Sequence, residues 1–137
     1  MRFDPSTDIE QIKAWTLADP YHYRQDQPEW WLTNAEGSLL VFCLTDNQGP
    51  VAYVRLDAEG EDVRIHTQFA PESIVSKRRL VVSMIQCMVK LTELAIKVSA
   101  KGMIFNSVNP SLIAFMDKRL GFKPVGQNDY RLDFEGQ

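Results

Sequence analysis

Residues 109–122 read NPSLIAFMDKRLGF, and this stretch decides how the second half of the chain folds. Asn109 is a residue type that caps helix N-termini, and Pro110 suits the first helical position. Gly121 is the residue type that most often ends a helix in a left-handed conformation. The spacing therefore predicts a helix over 111–120. Its inward-facing apolar side chains would be Leu112, Phe115, Met116 and Leu120.

A strand, a long helix and a second strand precede this segment. Residues 62–70 alternate between apolar and polar side chains, as a strand with one buried face does. Between Ser76 and Val98 apolar residues recur every three or four positions, which predicts an amphipathic helix with Gly102 as its C-terminal cap. Residues 103–108 have the pattern of a buried strand. Such a unit is a parallel crossover, which we expect to be right-handed.

The rest of the chain predicts a mixed sheet with helices on both faces. In chain order, the remaining elements are a short strand at 2–3, a helix over 8–18 begun by the capping box at 7–10, a short helix near 26–32, hairpin strands over 38–45 and 51–57, and a last strand over 130–134. The predicted fold is an α/β domain in the order β-α-α-β-β-β-α-β-α-β.

Length and composition are typical of one soluble domain. The 137 residues, expected to form a single domain over 1–137, are 45% hydrophobic and 24% charged, which excludes disordered and fibrous classes. No apolar stretch approaches the roughly 18 residues that span a bilayer, and residues 1–10 lack the apolar core of a secretory signal. We therefore expect a cytoplasmic protein.

The number and spacing of cysteine and histidine residues and the distribution of charge limit the kinds of ligand that we expect. Cys43 and Cys87 lie in apolar surroundings and are expected to be buried free thiols, and the two histidines show no zinc-ligand spacing, so we expect no metal site. The net charge of −3 argues against nucleic-acid binding. However, residues 1–62 carry a net −8 and residues 63–137 a net +5, which indicates a local anionic ligand.

From about residue 2 to residue 134 the chain resembles the GNAT superfamily, the Gcn5-related N-acetyltransferases. Residues 109–122 resemble the family's late helix, which begins at an Asn and ends in a Leu-Gly-Phe turn. Phe69-Ala70-Pro71-Glu72, before a basic segment and a long helix, resembles the family's acyl-CoA strand and loop. The resemblance implies an acetyl-CoA-dependent N-acetyltransferase whose acceptor is a small-molecule or protein amine, with no nucleic-acid or membrane partner and with a homodimer left open.

The resemblance also implies where the cofactor lies. In GNAT proteins the pantetheine arm of acetyl-CoA enters between two splayed parallel strands, and the pyrophosphate rests on N–H groups at a helix start. Backbone groups of Thr67 and Phe69 would pair with pantetheine, 76–79 would hold the pyrophosphate, and two further residues would border the thioester. The implied cofactor-binding residues are Thr67, Phe69, Ser76, Lys77, Arg78, Arg79, Asn109 and Phe115.

The loop at 72–80 departs from the family pattern because it contains no glycine. In one interpretation Ser76 caps the helix and the three following cations replace the backbone contacts of a glycine loop. In the other, the loop has lost cofactor binding and the cations are a solvated helix start. Cations oppose the dipole at a helix N-terminus, so a bound anion would offset a local cost, which favours the first interpretation.

No catalytic residue follows from the sequence. The apolar face of strand 62–70 carries no base, and His66, on its other face, is more typical of sheet packing. Asp117 occupies the position of the family's tyrosine acid, where an aspartate of ordinary pKa would be ionised. Tyr130 is an alternative acid, although a tyrosine in a strand more often packs. Neither cysteine matches a nucleophile position, so direct attack by the amine fits better than a covalent intermediate.

Two alternatives remain open. The eroded loop and the missing acid and base also fit a non-catalytic GNAT-fold binding or assembly protein, such as those that phages and prophages carry. The aromatic residues at 21–23 and 30–31 lie where GNAT-like proteins bind the acceptor, but they also fit a small satellite core.

Overall fold

The computed structural model describes residues 5–19, 30–31 and 38–134 and has the predicted α/β class. Its elements are α1 (Pro5–Ala18), β1 (Ser38–Asp46), β2 (Gly49–Glu59), β3 (Asp62–Phe69), α2 (Lys77–Lys97), β4 (Gly102–Asn106), α3 (Pro110–Leu120), β5 (Lys123–Gly126) and β6 (Asp129–Asp133). The predicted strand at 2–3 and most of the short helix near 26–32 lie outside the described residues. None of the helices in the described ranges is both long enough and apolar enough to cross a membrane.

Six strands form one mixed sheet in the order β1-β2-β3-β4-β6-β5. The neighbours β3 and β4 are parallel, as the crossover predicts, and the other pairs are antiparallel. Gln11 of α1 donates a hydrogen bond to the Tyr53 hydroxyl on one face. Thr92 of α2 contacts the Met103 sulfur on the opposite face. The prediction of helices on both faces is therefore confirmed.

The caps of α2 and α3 form as the sequence predicts. The Ser76 hydroxyl accepts the N–H of Arg79 at 3.2 Å. The Asn109 side chain accepts the N–H groups of Ser111 and Leu112, and Gly121 ends α3 with φ +83°. These caps satisfy backbone groups that a helix end leaves without a partner. The centre of the predicted apolar face of α2 is buried, at Met84, Met88, Leu91 and Ala95, together with Cys87. Its predicted outer members Ile85, Val89 and Val98 are exposed, so the buried stripe is narrower than predicted.

The prediction that Gly102 caps α2 was wrong. The helix ends at Lys97, and Ser99 takes the left-handed conformation with φ 65°. Gly102 instead opens β4, where a Cβ would lie 2.7 Å from the backbone oxygen of Leu132. Glycine is therefore needed at position 102 because β4 and β6 approach each other closely there.

Two further predictions need correction at the ends of the chain. Helix α1 already begins at Pro5, so Thr7 lies inside it and the capping box at 7–10 does not start it. Proline suits the first turn of a helix, which lets the helix begin upstream. Strand β5 was not predicted, because its four residues are exposed and include Pro124 and Gly126.

Both cysteines are buried free thiols, as predicted. Burial raises the pKa of the Cys87 thiol to about 11 and also raises that of Cys43. Both groups therefore remain protonated at neutral pH and are poor nucleophiles.

Candidate functional site

The parallel strands β3 and β4 separate after three residue pairs. The pairs are Asp62 with Gly102, Val63 with Met103 and Arg64 with Ile104. Beyond them β3 runs on to Phe69 and β4 to Asn106, and the two strands form no further pair with each other. The sheet therefore contains a wedge that opens at the carboxyl ends of both strands, where α/β proteins commonly bind ligands.

Ion pairs tie the closed end of the wedge together. Arg64 on β3 bonds to Glu59 and, at 3.0 and 3.3 Å, to Asp129 on β6. Arg131 on β6 bonds to both carboxylate oxygens of Asp62 at 2.9 and 3.0 Å. The Arg64 guanidinium lowers the pKa of Asp129. These contacts link strands on both sides of the β3–β4 junction.

Two adjoining cavities lie at the open end. The first, here the α2–α3 cavity, has a volume of about 100 Å³ and lies between the starts of α2 and α3 and the end of β3. The second, here the α1 cavity, has a volume of about 420 Å³ and reaches the end of α1. The residues that line both are Phe69, Ala70, Glu72, Leu80 and Asn109.

Four of the predicted cofactor-binding residues line the α2–α3 cavity: Phe69, Lys77, Asn109 and Phe115. Thr67 lies on β3 beyond the last β4 pair, with a half-buried side chain, and does not line either cavity. The structure thus brings together predicted residues from three separate elements at the mouth of the wedge. Their role in binding stays a prediction.

The three consecutive cations do not share one surface. Lys77 lines the α2–α3 cavity, whereas Arg78 and Arg79 line a groove between α2 and the β1–β2 turn. Arg79 bonds to both carboxylate oxygens of Asp46 at 2.7 and 2.8 Å. This hydrogen-bonded guanidinium lowers the pKa of Asp46 to about 2. A phosphate that approached Arg79 would therefore compete with Asp46.

The start of α2 also offers backbone donors. The N–H groups of Arg79 and Leu80 are taken by the side chain and the carbonyl of Ser76. The N–H groups of Lys77 and Arg78 belong to the first turn, which has no intrahelical acceptors for them. The helix dipole adds partial positive charge at the same place, so this end of α2 favours an anion.

The acid and base candidates of the sequence are engaged elsewhere. His66 lies 3.2 Å from the Asp57 carboxylate, and its ring meets the edge of Trp30 at 4.7 Å. Asp117 pairs with Lys123 at 2.5 Å, and the ring of Tyr130 stacks on Phe105 at 5.4 Å. None of the three lines either cavity. Their contacts agree with packing and surface roles.

The sequence did not point to Asp19 and Gln68, which meet beside the α1 cavity. Gln68 is fully buried, and its amide N–H donates to the Asp19 carboxylate at 3.1 Å. Its carbonyl accepts from the Thr16 hydroxyl at 3.2 Å. Asp19 lines the α1 cavity together with Trp15. In the sequence, Gln68 is only a polar residue on the polar face of β3. That α1 packs on this face becomes visible only in the folded structure.

Trp31 is part of the main hydrophobic core and Trp30 packs against it, so the predicted separate satellite core does not form; residues 21–23 lie outside the described ranges. Trp31 is buried against Tyr53, with ring centroids 6.4 Å apart. The buried Arg55 donates to the Trp30 carbonyl at 2.6 Å, and its guanidinium lies 4.4 Å from the Trp30 ring centroid. Of the two interpretations of the Trp30–Trp31 pair, these contacts agree with packing.

Several solved structures share this architecture. A domain from Methanocaldococcus jannaschii aligns with a TM-score of 0.67 and 17% identity over 98% of this chain and 96% of that one. The ribosomal-protein-S18-alanine N-acetyltransferase from Escherichia coli aligns with a TM-score of 0.64 and 15% identity over 97% and 91%. A GNAT family acetyltransferase from Brucella melitensis, solved in complex with acetyl-CoA, aligns with a TM-score of 0.61 and 14% identity over 98% and 86%. No family model matches the sequence, and no curated protein is significantly similar to it.

Proposed function

From the GNAT acetyltransferase fold that this chain adopts, we propose that it binds acetyl-CoA in the β3–β4 wedge and transfers the acetyl group to an amine. The observation that carries the proposal is the register in which β3 and β4 pair over only three residues. The separated strands leave backbone groups of β3 that need partners. The amides of a pantetheine arm are such partners and would add to β3 as an extended strand does.

Charge and helix geometry support a phosphate at the start of α2. Lys77 lines the α2–α3 cavity, and the first-turn N–H groups of α2 lie beside it. Phe69 and Phe115 provide apolar walls for the acyl arm. The Brucella acetyltransferase with the same fold was solved with acetyl-CoA, which supports this class of ligand. Residues 76–79 would hold the pyrophosphate, with Lys77 nearest to the wedge.

Asn109 would donate a hydrogen bond at the thioester end. Its side-chain oxygen caps α3, and the residue lines both cavities. The amide N–H₂ is therefore the part of this side chain suited to a ligand carbonyl. Such a donor would stabilise the negative charge that develops on the carbonyl oxygen during transfer.

The reaction fits direct transfer. The neutral amine attacks the thioester carbon, an N–C bond forms, the C–S bond breaks, and the nitrogen loses a proton to water while the thiolate leaves. Both cysteines are buried, and neither lines the α2–α3 cavity or the α1 cavity. A covalent acyl-cysteine intermediate therefore has no candidate nucleophile in the described part of the chain.

Thermal unfolding with acetyl-CoA tests the proposal. Ligand at 100 times its Kd should stabilise the protein by about 2.7 kcal/mol. Lys77→Glu should weaken this stabilisation, whereas Lys90→Glu, an exposed lysine farther along α2, should leave it unchanged. The absence of any shift at millimolar acetyl-CoA would contradict the proposal.

A non-catalytic GNAT-fold binding or assembly protein is the second candidate. It is favoured by the Asp117–Lys123 ion pair, which leaves no acid where the resemblance expects one. The two candidates differ in turnover. Release of free CoA thiol in the presence of amines supports the enzyme, whereas acetyl-CoA binding without thiol release from any amine offered supports the binding protein.

A further inference from the structure

The solvent side of α2 carries a row of exposed apolar side chains. Val82, Ile85, Val89 and Ile96 are each between 37% and 57% exposed. Their spacing of three, four and seven residues places them on one face of the helix, away from the side that packs on the sheet. A single exposed apolar residue is ordinary on a protein surface, whereas a continuous apolar face is typical of a surface that a partner covers.

The row has the spacing of a seam between two helices. Thr92, which is half-buried, lies between Val89 and Ile96, so the positions from Val82 to Ile96 alternate by three and four residues. Arg78 precedes Val82 by four residues and extends the same row toward the start of α2. This heptad spacing is the one with which two helices pack along their length. The occupant that fits the row is therefore another helix.

The charges on this face select a second copy of the same helix. Arg78 and Glu93 are exposed, and neither forms an ion pair with another residue in the described part of the chain. A parallel copy of α2 would place each of these side chains against the same residue of the partner subunit, so that like charges meet. In an antiparallel copy that sets Ile85 against Val89 of the partner subunit, Arg78 meets Glu93 of the partner subunit, and two-fold symmetry repeats the contact. A shift by one heptad in either direction loses both contacts, so the charges define one orientation and one register.

Space for the end of the partner's helix lies beside the row. The groove between α2 and the β1–β2 turn has a volume of about 530 Å³, and Arg78 and Val82 are among its lining residues. In the antiparallel arrangement the last turns of the partner's helix lie over this groove, which brings Glu93 of the partner subunit to Arg78. Lys90 and Lys97 occupy heptad positions on the outer side of the pair and stay in solvent.

We infer that α2 pairs antiparallel with α2 of a second copy and that the chain forms a two-fold symmetric dimer. The apolar row provides the buried area, and the two contacts between Arg78 and Glu93 of the partner subunit set the register. This inference goes beyond the proposed function and does not depend on it. Val82, Ile85, Val89 and Ile96 do not line the α2–α3 cavity or the α1 cavity, so the pairing uses a different surface.

Sedimentation equilibrium of the full chain tests the dimer. Ligand-free protein is used because Arg78 is also a predicted phosphate-binding residue. The wild type should dimerise, and Val89→Glu, which buries a carboxylate in the seam, should raise the dissociation constant of the dimer at least tenfold. Arg78→Glu and Glu93→Arg should each raise it severalfold, because each brings like charges together. The double variant Arg78→Glu/Glu93→Arg restores opposite charges and should regain most of the wild-type affinity. Arg119→Glu makes the same charge change at an exposed site on α3 and should have no effect.

Three results overturn the inference. A wild type that stays monomeric at near-millimolar concentration has no second copy on this face, which is then free for a different protein. A dimer that Val89→Glu does not weaken forms through another surface. A dimer that both single charge variants weaken and the double variant does not rescue lacks the proposed register. Thermal unfolding of each variant checks that it is folded, and Val89→Ser, a smaller change at the same exposed position, replaces Val89→Glu if that variant does not fold.

Discussion

At the scale of single residues, the Asp46–Arg79 pair makes stability depend on pH. The pKa of Asp46 falls from its ordinary value near 4 to about 2 because Arg79 donates two hydrogen bonds to the carboxylate. A lowered pKa in the folded state gives stability that is present above pH 4 and lost as the pH falls toward 2. Urea unfolding at pH 7 and pH 3 should show this loss. Asp46→Asn and Arg79→Met should each reduce it, and an unchanged pH dependence in both variants would contradict the assignment.

The same pair should restrain cofactor binding. Arg79 follows Lys77 by two residues at the start of α2, but its guanidinium is held by Asp46. If acetyl-CoA places its pyrophosphate at this helix start, Asp46→Asn releases Arg79 and raises the affinity severalfold, most at low salt because exposed charges are screened. Calorimetry at two salt concentrations measures the change. Equal affinity for the wild type and Asp46→Asn would show that Arg79 does not take part.

Residue pairs of this kind were not predictable from the sequence. The basic run at 77–79 was evident, but Asp46 lies 33 positions before its partner. Asp19 and Gln68 are 49 positions apart and meet only because α1 packs across β3. Local spacing reports which side chains share a face, whereas contacts between elements depend on how the sheet and helices assemble. Phe69 and Asn109, which the GNAT resemblance implies as cofactor-binding residues, line both cavities, and their role in binding stays a prediction.

At the scale of elements, the start of α3 combines a cap with a cavity wall. Asn109 accepts two backbone N–H groups and lines both cavities. Asn109→Ala should destabilise the protein by about 1 kcal/mol, since the cap is lost. Asn109→Asp keeps the capping oxygen, so its stability in urea should match the wild type while its acetyl-CoA affinity falls for want of the amide donor. If Asn109→Asp bound acetyl-CoA with the affinity of the wild type, Asn109 would act only as a helix cap.

The pairing of β4 with β6 depends on Gly102, which we predicted from the sequence to cap α2. A Cβ at Gly102 would lie 2.7 Å from the Leu132 backbone oxygen and from the Arg131 guanidinium. Gly102→Ala should therefore cost about 2 kcal/mol in urea unfolding, as other overpacking substitutions do. Gly60, where nothing lies within 4 Å, provides the control. Gly60→Asn should be nearly neutral because Asn tolerates a left-handed conformation. A neutral Gly102→Ala would show that the strands can separate without cost.

Helices with a buried apolar face and a capping residue were predicted well, whereas elements that lack these signals were not. The predicted bounds of α2 lie within one residue of the helix because Ser76 fixes its start and the apolar stripe fixes its face. By contrast, β5 is an exposed strand in which Pro124 and Gly126 conceal the strand pattern. The misplaced cap at Gly102 has a related cause, since glycine serves left-handed turns and close strand contacts equally.

For the whole molecule, the wedge predicts an uneven pattern of amide hydrogen exchange. Asp62, Val63 and Arg64 pair with β4, and Asp62 and Arg64 also form ion pairs with β6, so this end of β3 should be protected in the free protein. The amides over 65–69 that point toward β4 lack strand partners there and should exchange faster. Acetyl-CoA that adds to β3 should slow exchange over 65–69 and at the start of α2, while the β1–β2 hairpin remains unchanged and serves as the internal control. Uniform protection over 62–69 in the free protein would mean that no wedge exists in solution, and loss of the wedge would remove the basis of the acetyl-CoA proposal.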